Sequence, residues 1–81
     1  MQTNLSNERH VTGMKQVTKA IARGEAMRVF IASDADEFVV NKMKQISNEH
    51  GIPIDDTMSM AELGRACKID VAAATAAVLK D

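Results

Sequence analysis

Lys15, Lys19 and Arg23 recur at intervals of four residues, with Gln16 beside the first. In a helix that spacing lines the three cations along one face. Gly13 removes a side chain where such a helix would begin, so another backbone could approach the free N–H groups there. A helix N-terminus attracts phosphate, and Lys and Gln can both reach base edges. The chemistry on offer is the holding of a polyanion. The competing account is the solvated face of an amphipathic helix, which spacing taken alone favours.

No other set of residues carries chemistry as well. Cys67 could be paired with His10 or His50 as nucleophile and base, but no orienting motif surrounds them. Cys67 also falls on the apolar side of a short helical pattern, where a packed core cysteine is expected. Asp34, Asp36 and Glu37 could bind a hard metal, yet carboxylates at a helix start are explained by capping and the macrodipole. The single glycines at 13, 24, 51 and 64 make neither a Walker nor a dinucleotide pattern. No catalytic residue, metal ligand or cofactor is expected. With two Phe and no Tyr or Trp, a site built on rows of stacking aromatics is excluded.

The elements that must position the basic stripe are legible in part. Residues 1–10 show no periodicity and read as an N-terminal arm or a short edge strand, ahead of one domain over 11–81. Thr12 is a suitable N-cap; Met14, Val17, Ala20 and Ile21 recur at helical spacing, and Gly24 supplies the stop. A helix over roughly 13–23 follows. Arg28-Val29-Phe30-Ile31-Ala32 suits a strand buried on both faces. Asp34 or Asp36 can then cap a second helix with Val39, Met43 and Ile46 on its buried side and Gly51 at its end. Ile52-Pro53-Ile54 starts a short strand, and Ser59-Met60-Ala61-Glu62 is a capping box for a third helix over about 60–67 that buries Leu63 and Cys67. The stretch Val71–Leu79 is Ala-rich and ambiguous: propensity alone favours a helix, while alternation in this context allows a strand whose small side chains fit between helices. Strands alternating with helices imply a layered α/β domain.

Composition limits the rest. At 81 residues the chain has room for one small domain, and 46% hydrophobic with 26% charged residues is the balance of a globular chain rather than a disordered tail. Net charge is −1, but residues 1–24 carry Arg9, Lys15, Lys19 and Arg23 against Glu8 alone. Residues 34–56 carry Asp34, Asp36, Glu37, Glu49, Asp55 and Asp56 against Lys42 and Lys44. Such a chain holds a polyanion at one place and repels it elsewhere. Apolar runs fall far short of the roughly 18 residues of a membrane helix, and the polar start Met1–Asn7 lacks the pattern of a signal peptide. One cysteine permits no internal disulfide and fits a reducing cytoplasm.

Three blocks together are specific: Thr12-Gly13-Met14-Lys15-Gln16-Val17-Thr18-Lys19-Ala20-Ile21, then Ile31-Ala32-Ser33-Asp34-Ala35-Asp36, then Leu63 through Ala74. In this order and spacing the chain resembles the ribosomal L-seven-Ae family, and in particular its small bacterial, YbxF-like branch. The resemblance implies a three-layer α/β/α sandwich with a mixed four-stranded sheet, and it makes residues 73–79 the last strand. It also implies a monomer without enzymatic activity that binds structured RNA at kink-turns, the ribosome being one place where such RNA occurs. Lys15 and Lys19 would donate to guanine O6 and N7 of sheared G·A pairs, Gln16 to a base edge beside them, and Gly13 and Met14 would lie against the backbone. Arg23 would add a phosphate contact. Asp36 and Val40 would line the pocket of an extruded base, while Lys68, Ile69, Asp70 and Val71 would meet the loop nucleotides. Three positions depart from the family pattern: Lys68 stands for a usual glycine, Met14 for a common Thr, and Met60 for a basic residue of some relatives. A protein-interaction module using the same fold within a ribonucleoprotein is the alternative; it would bind through an exposed apolar surface.

Overall fold

A computed structural model describes residues 9–80. The elements are β1 (His10–Thr12), α1 (Met14–Ala22), β2 (Ala26–Ile31), α2 (Glu37–Glu49), β3 (Ile54–Asp55), α3 (Met60–Ala66) and β4 (Thr75–Leu79). The expected arm falls largely on residues 1–8, outside the described residues.

The strands form one sheet in the order β1-β4-β2-β3, antiparallel at β1–β4 and β4–β2 and parallel at β2–β3. Side chains alternate across a strand, and the alternation here separates two cores. Phe30, Ala32, Ala76 and Val78 face Leu63 and Cys67 of the α3 region. Val29, Ile31 and Ala77 face Val17, Ala20 and Ile21 of α1 and Met43 of α2. The result is the expected α/β/α sandwich with a mixed four-stranded sheet.

β4 is a strand because tertiary packing overrules propensity. It is hydrogen-bonded on both sides and covered on both faces, and Ala76 and Ala77 are fully buried. Only small side chains let helices approach the sheet closely from both sides, so alanines here serve spacing and not helix formation. Three further expectations are corrected. Thr12 does not cap α1: it closes β1, and Gly13 is the N-cap at φ 90° and ψ 146°, a backbone state that a Cβ disfavours. β2 is not buried on both faces throughout, since Met27 and Arg28 are exposed near its start. The third strand is Ile54–Asp55 rather than 52–54, with the Pro53 carbonyl accepting the Val29 N–H at 3.0 Å.

Each helix ends in the same way. In α1, Gly24 N–H bonds Ile21 O and Glu25 N–H bonds Ala20 O; in α2, Gly51 and Ile52 bond Asn48 and Ser47; in α3, Lys68 and Ile69 bond Arg65 and Gly64. These are paired Schellman bonds, which normally place glycine at the left-handed residue. α3 places Lys68 there, at φ 57°. At its start α3 has the expected capping box: Ser59 Oγ accepts the Glu62 N–H at 3.2 Å and Glu62 Oε1 accepts the Ser59 N–H at 2.9 Å. The bond from the Ser59 backbone holds the Glu62 carboxyl below its ordinary range.

One buried polar atom stands out among the described residues. Ser47 is fully buried on α2, and its Oγ has no hydrogen-bond partner. An unpaired buried hydroxyl costs about 1–3 kcal/mol, and Ala is the better helix former. Ser47→Ala is therefore expected to stabilise the fold by about 1 kcal/mol, raising Tm by roughly 4–8 °C for a domain of this size. Thermal melts followed by circular dichroism check this; a lowered Tm would mean that the hydroxyl finds a partner.

Candidate nucleic-acid interface

Strand directions place most of the sequence-predicted residues at one end of the sheet. β1, β2 and β3 all point their carboxyl ends towards the amino end of β4, and each is followed by a helix. The N-termini of α1, α2 and α3 and the loop entering β4 therefore gather there.

Backbone bonds lock this end together. Gly13 N–H donates to Thr75 O at 3.0 Å, which fixes the start of α1 to the start of β4. Ala32 N–H donates to Ala74 O at 2.8 Å, and Ala73 N–H to Met60 O at 3.1 Å. Asp34 Oδ1 accepts the Met60 N–H at 2.7 Å, tying the β2–α2 loop to the start of α3. Thr75 Oγ1 donates to Phe30 O at 2.7 Å and is itself fully buried. None of Asp34, Gly64 and Thr75 was singled out as a positioning residue from the sequence. Gly64 left a usable signal, because glycine inside a short helix marks a close approach; Thr75 left none.

The start of α1 offers donors. Gly13 provides no side-chain cap and the first turn holds no acidic residue, so amide N–H groups there point outwards with no carboxylate of their own helix over them. Lys15, Gln16 and Lys19 are exposed beside them, while Met14 is half-buried against the α1–α2 core. Arg23 is not in this group: it is the C-cap of α1, about 12 Å from Lys15 along the helix axis.

Asp36 and Val40 lie on α2. One Asp36 oxygen accepts the Phe38 N–H at 2.9 Å as the helix cap, and the residue is exposed. Val40 is half-buried and packs on the α1–α2 core. In the loop, Lys68 and Asp70 are exposed and Val71 is 68% exposed. Ile69 instead packs against the Leu63 core and completes the Schellman turn. This loop lies flat on α3, since Gly64 passes directly beneath the Val71 carbonyl. Cys67 is buried behind it, and burial pushes its thiol up, away from the thiolate a nucleophile needs. Among the described residues no group of three or more His, Cys, Asp or Glu could hold a metal, and no helix is long and apolar enough to cross a membrane.

A Cβ on Gly64 would run into the Val71 carbonyl oxygen, which is backbone and cannot swing aside. Gly64→Ala is expected to cost about 1–3 kcal/mol as an overpacking change. It should also displace 68–71, so amide exchange in that loop would rise more than in β2. Unchanged exchange would show that α3 absorbs the methyl group.

Comparison with known proteins gives the fold a relationship. Residues 1–81 match the profile of the ribosomal protein L7Ae/L30e/S12e/Gadd45 family. The RNA-binding protein YbxF of Geobacillus stearothermophilus is 43% identical over 70 residues, covering 86% of this chain and 85% of that one. An RNA-binding protein of Caldanaerobacter subterraneus is 49% identical over 69 residues, covering 85% and 84%. Among solved structures, the Giardia lamblia 15.5kD RNA binding protein superposes with a TM-score of 0.82 at 32% identity, over 89% of this chain and 61% of that one.

Proposed function

The chain belongs to the ribosomal protein L7Ae/L30e/S12e/Gadd45 family, and on that premise we propose that it is a non-catalytic, monomeric, cytoplasmic RNA-binding protein that recognises kink-turns. The observation that carries the reading is the Gly13–Thr75 bond, which fixes the donor-rich start of α1 to the strand that the 68–71 loop leads into. An internal loop that bends sharply exposes base edges that a regular A-form groove hides from side chains. Lys15 and Lys19 donate to guanine O6 and N7 of sheared G·A pairs, and Gln16 to an adjacent edge. Gly13, whose own N–H is taken up by Thr75 O, and the open amides from Met14 onward lie against a phosphate. Val71 supplies an apolar contact to an unstacked base, and Asp36, through its second oxygen, accepts from an extruded one. Bound this way, the protein favours the kinked conformer by population shift, with no bond made or broken. The protein-interaction alternative needs a contiguous apolar surface. Among the described residues the exposed large apolar side chains are Met27, Phe38 and Val71, on three segments, and they do not by themselves establish one.

The deciding experiment is titration into an end-labelled kink-turn duplex at near-physiological salt and magnesium, with energy transfer between the ends reporting the bend. A duplex whose G·A pairs are replaced by Watson–Crick pairs is the control. Tight binding and bending of the first duplex alone is expected; equal weak binding to both would overturn the reading. Lys15→Ala should lose about 1–3 kcal/mol of the preference for G·A pairs, the size of one good base contact. Loss of general affinity with the preference intact would remove Lys15 from base reading.

Lys68 adds an independent test. A non-glycine residue in the left-handed region costs about 1–2 kcal/mol, and its side chain is exposed and free of ion pairs among the described residues. Lys68→Gly should raise Tm by several degrees and weaken RNA binding severalfold, separating stability from function. A rise in Tm with unchanged affinity would make Lys68 a surface residue only.

A further inference from the structure

The opposite end of the sheet collects cations from three segments remote in sequence. α1 runs back from Gly13 and ends at the C-cap Arg23. Two residues on, the Glu25 carbonyl accepts the Lys80 N–H at 2.7 Å. Arg9 pairs with the same place: its carbonyl accepts the Leu79 N–H at 2.8 Å, and its Nη1 donates to Lys80 O at 3.2 Å. Arg9, Arg23 and Lys80 are all exposed, and none forms an ion pair among the described residues. Among the described residues of these segments Glu25 is the acidic one, while Glu8 and Asp81 adjoin Arg9 and Lys80 in the sequence.

This end is continuous with the interface. Lys15, Lys19 and Arg23 are exposed on one face of α1, a stripe of about 12 Å long enough to follow several phosphates of one strand. α1 packs over β1 and β4 and beside α2 on the same face of the sheet; Glu37 and Glu49 lie on α2, Asp34 and Asp36 in the loop before it, and Asp55 and Asp56 at the β3 edge. A phosphate backbone is therefore attracted along α1 and repelled from these carboxylates.

We infer that Arg9, Arg23 and Lys80 form a second phosphate-contact zone, which holds the backbone of the duplex stem adjoining the recognised loop. The inference rests on the RNA-binding reading and extends it to a footprint longer than the bend itself. It gives the far end of α1 a role that base recognition at its N-terminus does not require.

The test is the salt dependence of affinity for the kink-turn duplex with a long stem and with that stem cut back to the pairs next to the loop. Arg9→Gln/Lys80→Gln should flatten the slope of log K against log salt by about 1.5, at 0.7–0.9 per phosphate contact. On the shortened duplex the variant should equal the unmodified protein. Lys42→Gln, which removes one exposed cation from α2, is the equal-chemistry control and should leave the slope unchanged. Lys80→Gln alone keeps the Arg9–Lys80 carbonyl bond and should give about half the effect, so a folding defect in the double variant does not decide the outcome. An unchanged slope in both variants, or the same flattening from Lys42→Gln, overturns the zone. Equal binding of the unmodified protein to the G·A duplex and its Watson–Crick control overturns kink recognition instead, and the stem series still reports on the zone.

Discussion

The first residue of β4 holds three elements at once. Its carbonyl receives the Gly13 N–H, its hydroxyl donates to Phe30 O, and its backbone pairs with Ile31. Because Thr75 is fully buried, these bonds are shielded from competition by water. The start of α1, the end of β2 and the loop leaving α3 are thereby held in one frame. Flexible cations alone would give affinity for any polyanion; fixed donors beside a fixed loop are what allow one RNA shape to be preferred over another.

Charge is arranged on that frame with the same economy. Summed over the sequence it nearly cancels, and the fold leaves the basic stripe on α1 and the acidic residues on the neighbouring α2, the loop before it and the β3 edge. The acidic residues have local reasons of their own, since Asp36 caps α2, Asp34 holds the Met60 amide and Asp55 closes its own turn onto Thr57. Carboxylates that stabilise the scaffold thus also set the local charge around the recognition end. A single set of residues contributes to both stability and orientation.

What could be read from the sequence was what local rules determine. The capping box Ser59–Glu62, the periodic faces of α1 and α2, and the glycine stops at 24 and 51 follow from short-range geometry and stand in the structure as expected. β4 could not be settled that way, because propensity favours a helix for an Ala-rich run while alternation allows a strand, and only packing between two helical layers decides. The family resemblance supplied that strand; residue physics did not. Thr12 misled for a related reason: a cap residue and a strand end have the same polar, β-branched signature, and the choice fell to Gly13, whose backbone angles no sequence rule announces. Of the candidate interface, the residue types were legible and their convergence was not. Lys80 carries no motif at all, and its closeness to Arg9 exists only through pairing of the first strand with the last.

That pairing also sets the order in which the molecule can come into being. β4 is central in the sheet yet last among the elements, and both β1 and β2 depend on it for antiparallel partners. Until it is made, the nascent chain can join only β2 to the two-residue β3, which leaves β1 unpaired and both apolar layers without Ala76, Ala77 and Val78. Long-range pairing of this kind is slow to nucleate and gains little until it is complete. On a growing polypeptide, assembly therefore waits for the final strand and then proceeds cooperatively, with no stable half-built form capable of engaging RNA early.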